Sequence, residues 1–140
     1  MHMIAYISDV NVAGEALDRQ VDDIVKVAKR ENLARNISGV LFLVNGRFLQ
    51  VIEGEEASLR QLMKNIAGDD RHKDIEILLD TPVEERGFGH WNMDVFRLDD
   101  TSVFDRATVK ALTEGFQKNL LPKADTLVFY YKTLLRQKVA

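Results

Sequence analysis

Cysteine is absent from all 140 residues. Disulfides, thiolate metal sites and cysteine nucleophiles are thereby excluded. No uninterrupted apolar run approaches the ~20 residues that a helix needs to cross a bilayer. The opening "MHMIAYISDV" also lacks the basic start and long apolar core of a signal peptide. Positive charge is not in excess: the net charge of −3 argues against a broad nucleic-acid footprint. His2, His72 and His90 show no ligand-like spacing, so no metal site is expected. Gly87 and Gly89 lack the third glycine and the strand–turn–helix context of a dinucleotide fingerprint. No internal repeat or low-complexity segment stands out. With 46% hydrophobic and 29% charged residues, the composition is that of a soluble globular protein of one domain. The expected compartment is the cytoplasm, with neither a membrane nor a nucleic acid as direct partner.

Residues 3–8, "MIAYIS", form a short strand candidate. From Ala16 to about Asn32 the pattern is helical, with Leu17, Val21, Ile24 and Ala28 at i, i+4, i+7 and i+11. "ISGVLFLV" (37–44) and "RFLQVIE" (47–53) flank Asn45-Gly46, a strong two-residue hairpin signal. Leu59, Leu62, Met63 and Ile66 mark a second amphipathic helix, and 75–83 and 90–98 read as further strands. The order predicts an α/β (α+β) fold, a ferredoxin-like βαββαβ sandwich with an additional fifth strand. Ser102 with Asp105 resembles a capping box, and Val109, Leu112 and Phe116 continue a helix from it. A last helix, "TLVFYYKTLL", is apolar around most of its circumference and wants cover on more than one side. These two C-terminal helices are expected on the sheet face opposite the first two.

The strand "GRFLQVIEGE" carries apolar residues on both faces, yet Gln50 sits in its middle. An unpaired buried amide costs about 1–3 kcal/mol for each unmet group, so Gln50 needs a partner. Tyr6 shares its strand face with Ile4, and Asn32 continues the apolar stripe of the first helix. Trp91 and Met93 alternate onto one face of the last strand. Each has an ordinary reading: a core tyrosine packs its ring, an asparagine caps a helix end, a tryptophan or methionine fills space. Together they also suit a planar heteroaromatic ligand with donors and acceptors along its edge.

In their order and spacing, "IAYIS", "ENLARNISGVLFLVNGRFLQVIEGE", "DDRH" at 69–72 and "ERGFGHWNM" at 85–93 resemble the BLUF family, blue-light sensors that use FAD. The resemblance covers about residues 3–98. It implies a flavin-binding unit at 1–98, with 99–140 as a helical extension of the same compact body. By the same resemblance, Tyr6 and Gln50 are the photoactive pair, and Trp91 or Met93 lies beside the flavin and moves on illumination. It gives Asn32 and Gln50 to the ring edge, Ile24 and Ile66 to the ring faces, and Lys29 or Arg30 to the pyrophosphate. Asp69, Arg71 and His72 meet the flavin and its ribityl or phosphate chain, and the ring contacts serve FAD and FMN alike. Ser38 stands where threonine is commoner, Glu31 where relatives often carry Asn or His, and Asn65 where a basic residue often lies.

The implied function is that of a blue-light photoreceptor. Tyr6 exchanges an electron and a proton with the excited flavin, and Gln50 switches its hydrogen bonding to give a red-shifted state. With no catalytic output domain in 140 residues, the signal passes to a separate protein, and the C-terminal helices invite self-association into a homo-oligomer. Two rivals belong to other classes. An acylphosphatase would use Arg35 and Asn36, but no glycine-rich loop surrounds them. A light-independent interaction module would leave Tyr6, Gln50 and Asn32 as unrelated core residues. A photosensor that forms a cysteinyl adduct is excluded for want of the cysteine.

Overall fold

Strand β1 (His2–Val10) is followed by α1 (Glu15–Ala34), β2 (Ser38–Val44), β3 (Arg47–Gly54), α2 (Glu56–Ala67), β4 (His72–Pro82), β5 (Asp94–Arg97) and α3 (Arg106–Asn119). The computed structural model describes residues 1–10, 15–44, 47–69, 72–84, 94–97, 106–119, 127–129 and 131. The strands form one sheet in the order β4-β1-β3-β2-β5. Among the first four every neighbouring pair is antiparallel, and β5 runs parallel to β2. This is the expected ferredoxin-like order with a fifth strand added at the β2 edge. Val44 pairs with Arg47, so β2 and β3 fold back on each other as the Asn45-Gly46 signal demands, those two residues lying outside the described ones.

Alternation along the strands sends successive side chains to opposite faces. Met3, Ala5 and Ile7 of β1 join Val40, Phe42, Leu49 and Val51 in a cluster closed by Val109 of α3 and by Leu127, Val128 and Tyr131. Residues 127–129 and 131 are helical. Tyr131 meets Phe42 edge to face with ring centroids 5.9 Å apart, and its hydroxyl shares a hydrogen bond with Thr113 Oγ1. On the other face, Ile4, Ile37 and Ile52 pack under Leu59, Leu62 and Met63 of α2. Leu41, Leu43 and Phe48 pack under Ile24, Val25 and Ala28 of α1. Each buried aliphatic or aromatic side chain contributes about 1.5–3 kcal/mol. The double cover explains why β3 is buried along all but its first residue.

One local departure from the sequence reading has a physical cause. Strand β4 begins at His72 rather than at 75, because Val10 and Asp9 of β1 pair with His72 and Lys73. Asp74, with φ 53°, breaks the alternation that would have advertised this start. The pairing of β1 with β4 also slips between Ala5 and Tyr6 and between Ile7 and Asp9, bulges that re-aim side chains next to Tyr6. The last strand is described only over Asp94–Arg97, so Trp91 and Met93 lie outside the described residues. Helix α3 is described from Arg106, and Ser102 and Asp105 likewise lie outside.

Candidate functional site

Tyr6 and Gln50 are direct register partners across β1 and β3, on the face covered by α1 and α2. Both are buried, and the Tyr6 hydroxyl donates to Gln50 Oε1. Burial pushes the phenol well above the ordinary tyrosine range, so Tyr6 is a neutral donor at any pH near neutrality. In this bond the amide presents its oxygen to Tyr6 and directs its nitrogen end elsewhere.

Above this pair, between the sheet and both helices, lies a cavity of about 350 Å³. That is within the usual size of a small-ligand site. Its walls are apolar: Ile24, Val25 and Ala28 from α1, Leu62 and Ile66 from α2, Leu41 and Phe48 from the sheet. Polar groups meet it at the edges, with Tyr6, Gln50 and Asn32 joined by Glu31, Arg35, Asn65, Asp69 and His72. Asn32 is 1% exposed, and its backbone oxygen accepts from Ile37 N–H at 2.8 Å, tying the end of α1 to the start of β2. His72 sits at the head of β4, its Nδ1 3.3 Å from Ser8 Oγ and its ring edge-on to Phe48. The His72 N–H donates to Asp69 O at 3.1 Å, which holds both residues at one corner of the cavity.

The structure thus brings Tyr6, Ile24, Asn32, Gln50, Ile66, Asp69 and His72 together around one space. Arg71 lies outside the described residues. Lys29 and Arg30 are not on the wall: both are exposed, and Arg30 instead lies 3.8 Å from Glu31. Helix geometry gives the reason. Successive residues turn by about 100°, so a face carrying Ile24, Ala28, Glu31 and Arg35 leaves positions 29 and 30 outside. Among the described residues, Arg35 is a cation that does line the cavity. Extending the Ile24–Ala28 stripe by three and seven residues would have found Glu31 and Arg35. Leu41, Phe48 and Leu62 carried only the signal of ordinary core.

Two helices facing each other with aliphatic side chains suit a flat ring, and the carboxamides of Asn32 and Gln50 suit an edge with carbonyls and ring nitrogens. Arg35 Nη1 is buried with no hydrogen-bond partner among the described residues, a donor that a ligand acceptor would satisfy. The donor set fits a flavin. Among the described residues no group of side chains could hold a metal ion, and no helix is long and apolar enough to cross a membrane.

A small-ligand cavity suited to a flat ring is what the fold and the site define. Comparison with known proteins sharpens this. The family described as BLUF, sensors of blue-light using FAD, matches residues 1–94. The chain belongs to this family, whose domain binds FAD and serves as a photosensory signalling module rather than as an enzyme. It is 31% identical over 99 residues to the blue light- and temperature-regulated antirepressor BluF of Escherichia coli (strain K12). That match takes in 66% of this chain but only 25% of the antirepressor. The photo-activated state of BlsA aligns with a TM-score of 0.68 at 26% identity, covering 99% of this chain and 97% of that one. Klebsiella pneumoniae BlrP1 with FMN and cyclic diGMP aligns with a TM-score of 0.64 at 26% identity, over 84% of this chain and 34% of that one.

Proposed function

We propose that this chain is a blue-light photoreceptor that holds FAD in the cavity between α1 and α2 and signals through a switch in Gln50. The observation that carries the reading is the buried Tyr6–Gln50 hydrogen bond at the base of that cavity. Ile24 and Ile66 would bear on the two ring faces, and Asn32 and Gln50 would meet the ring edge. Asp69, Arg71 and His72 would meet the edge and the ribityl–phosphate chain, and the same ring contacts would accept FMN. When bound, the flavin supplies blue-light absorption and an excited-state acceptor for an electron and a proton from Tyr6.

The chain's own residues do the rest. Burial keeps the Tyr6 proton on its oxygen in the dark, ready for transfer along the bond that Gln50 accepts. The Gln50 carboxamide has an acceptor end and a donor end, and the passage of that proton out and back leaves it rotated or tautomerised. The exchanged amide offers the ring a different hydrogen bond, which narrows its absorption gap slightly and gives a small red shift. The apolar walls exclude the water that would otherwise satisfy either amide arrangement equally.

Leu41 of β2 is opposite Gln50 on one side and opposite Val95 of β5 on the other. A rearranged Gln50 is therefore two ladder steps from the strand that leads back to Trp91 and Met93. We assign the output to reorganisation of that strand and of the surface under the C-terminal helices, a two-state element biased by one hydrogen bond. Residues 1–98 would be the sensor and 99–140 an extension within the same compact unit. A separate signalling protein, met in the cytoplasm, would receive the signal, with self-association through the C-terminal helices into a homo-oligomer. The test is the absorption spectrum of the purified protein before and after blue light. A structured flavin band that shifts to longer wavelength and recovers in darkness supports the reading. A colourless protein that takes up no added FAD replaces it with the light-independent interaction module.

A further inference from the structure

Arg35 lines the cavity, yet neither the apolar core nor the photoactive pair accounts for it. It directly follows α1, where its N–H donates to Glu31 O at 3.1 Å and so continues the helical ladder by one step. Asn36, at φ 56°, then reverses the chain, and Ile37 N–H closes the turn on Asn32 O. The backbone of Arg35 is therefore pinned between two residues that are themselves fixed, three positions from Asn32 along the helical ladder. The two ends of its guanidinium are used differently. Nη2 lies 3.8 Å from Glu31 Oε2, while Nη1 is buried and has no hydrogen-bond partner among the described residues.

A buried N–H of a charged group without an acceptor is costly, and a fold keeps it where a ligand supplies the acceptor. The guanidinium fork can hold Glu31 with one arm and a ligand with the other, which a lysine ammonium does not reproduce. We propose that Arg35 is a further cofactor-binding residue, its Nη1 donating to a neutral acceptor on the polar edge of the flavin ring while Glu31 holds the opposite arm. The inference rests on the flavin reading of the cavity. Burial of Nη1 favours the ring edge over a phosphate, whose charge is kept in water or among several cations. Lys29 and Arg30, exposed and off the wall, are not the cations that position the ring.

The test loads the full chain in turn with riboflavin, FMN and FAD and reads each dissociation constant from the flavin fluorescence that returns on dilution. Arg35→Met is expected to weaken all three by a similar factor, on the order of tenfold, because the ring is common to all. Arg35→Lys guards against a folding defect in the methionine variant and should fall between it and the parent. The double variant Lys29→Met/Arg30→Met should hold riboflavin as the parent does. A loss confined to FMN and FAD would place Arg35 on the phosphate and overturn the proposal. Parent-like affinity of Arg35→Met for all three would overturn it as well, with the flavin reading intact. A parent that holds none of the three would sink the flavin reading itself and this inference with it.

Discussion

Tyr6 and Gln50 stand opposite each other on neighbouring antiparallel strands, and the phenol of one donates to the amide oxygen of the other. Their pairing gives the Gln50 amide oxygen a partner at the base of a cavity walled largely by apolar side chains. Removing the Tyr6 hydroxyl while keeping the ring should therefore separate binding from switching. Tyr6→Phe is expected to fold and to retain flavin, yet to show no light-induced red shift. Illumination of the purified variant checks this, and a parent-like photocycle would remove Tyr6 as electron donor.

Far from the cavity, Asp80 of β4 holds Arg60 of α2 through hydrogen bonds to both oxygens, one of them 2.9 Å from Nη2, and also meets His2. The Arg60 bonds lower its carboxyl to about 2 against an opposing effect of burial, with His2 assisting. A carboxyl whose folded value is depressed contributes stability that is present above its unfolded value and is lost as pH falls through the folded one. The loss therefore falls between about pH 4, the usual aspartate value, and about pH 2. Because the pair is substantially exposed, solvent screening reduces the contribution to about 1 kcal/mol or less. Urea denaturation should find Asp80→Asn less stable than the parent by about that amount at pH 7, with the difference gone below pH 2.

The opposite sheet face depends on Phe42, fully buried against Tyr131. Phe42→Ala should cost about 3–5 kcal/mol through lost burial and the cavity left behind. Since Phe42 points away from the flavin side, the defect should loosen the C-terminal helical layer first. Limited proteolysis should cut there while flavin is still held. Protection equal to that of the parent would show that the layer does not rest on this contact.

Where strand alternation and a hairpin signal coincide, the fold could be read from the sequence. The apolar residues on both faces of 47–54 pointed to two helical layers, and the polar residues on core-facing positions, Gln50 there, Tyr6 on β1 and Asn32 on α1, pointed to the cavity. The resemblance gives Lys29 or Arg30 to the pyrophosphate; helical period leaves both off the cavity wall and puts Arg35 on it. The start of β4 was hidden because it is set by pairing with the far end of β1, a non-local contact, and masked by Asp74 at positive φ. Leu41 and Phe48 were invisible as site residues because a wall of a ligand cavity and a wall of a core demand the same side chains.

The central claim, that Gln50 is the switch rather than a passive core amide, is tested most directly by the light-minus-dark absorption spectrum of Gln50→Leu beside the parent. Leucine keeps the bulk and removes both ends of the amide. The account predicts that the variant folds, binds flavin and gives no red-shifted state. A difference spectrum matching that of the parent would contradict it and leave Gln50 a structural residue.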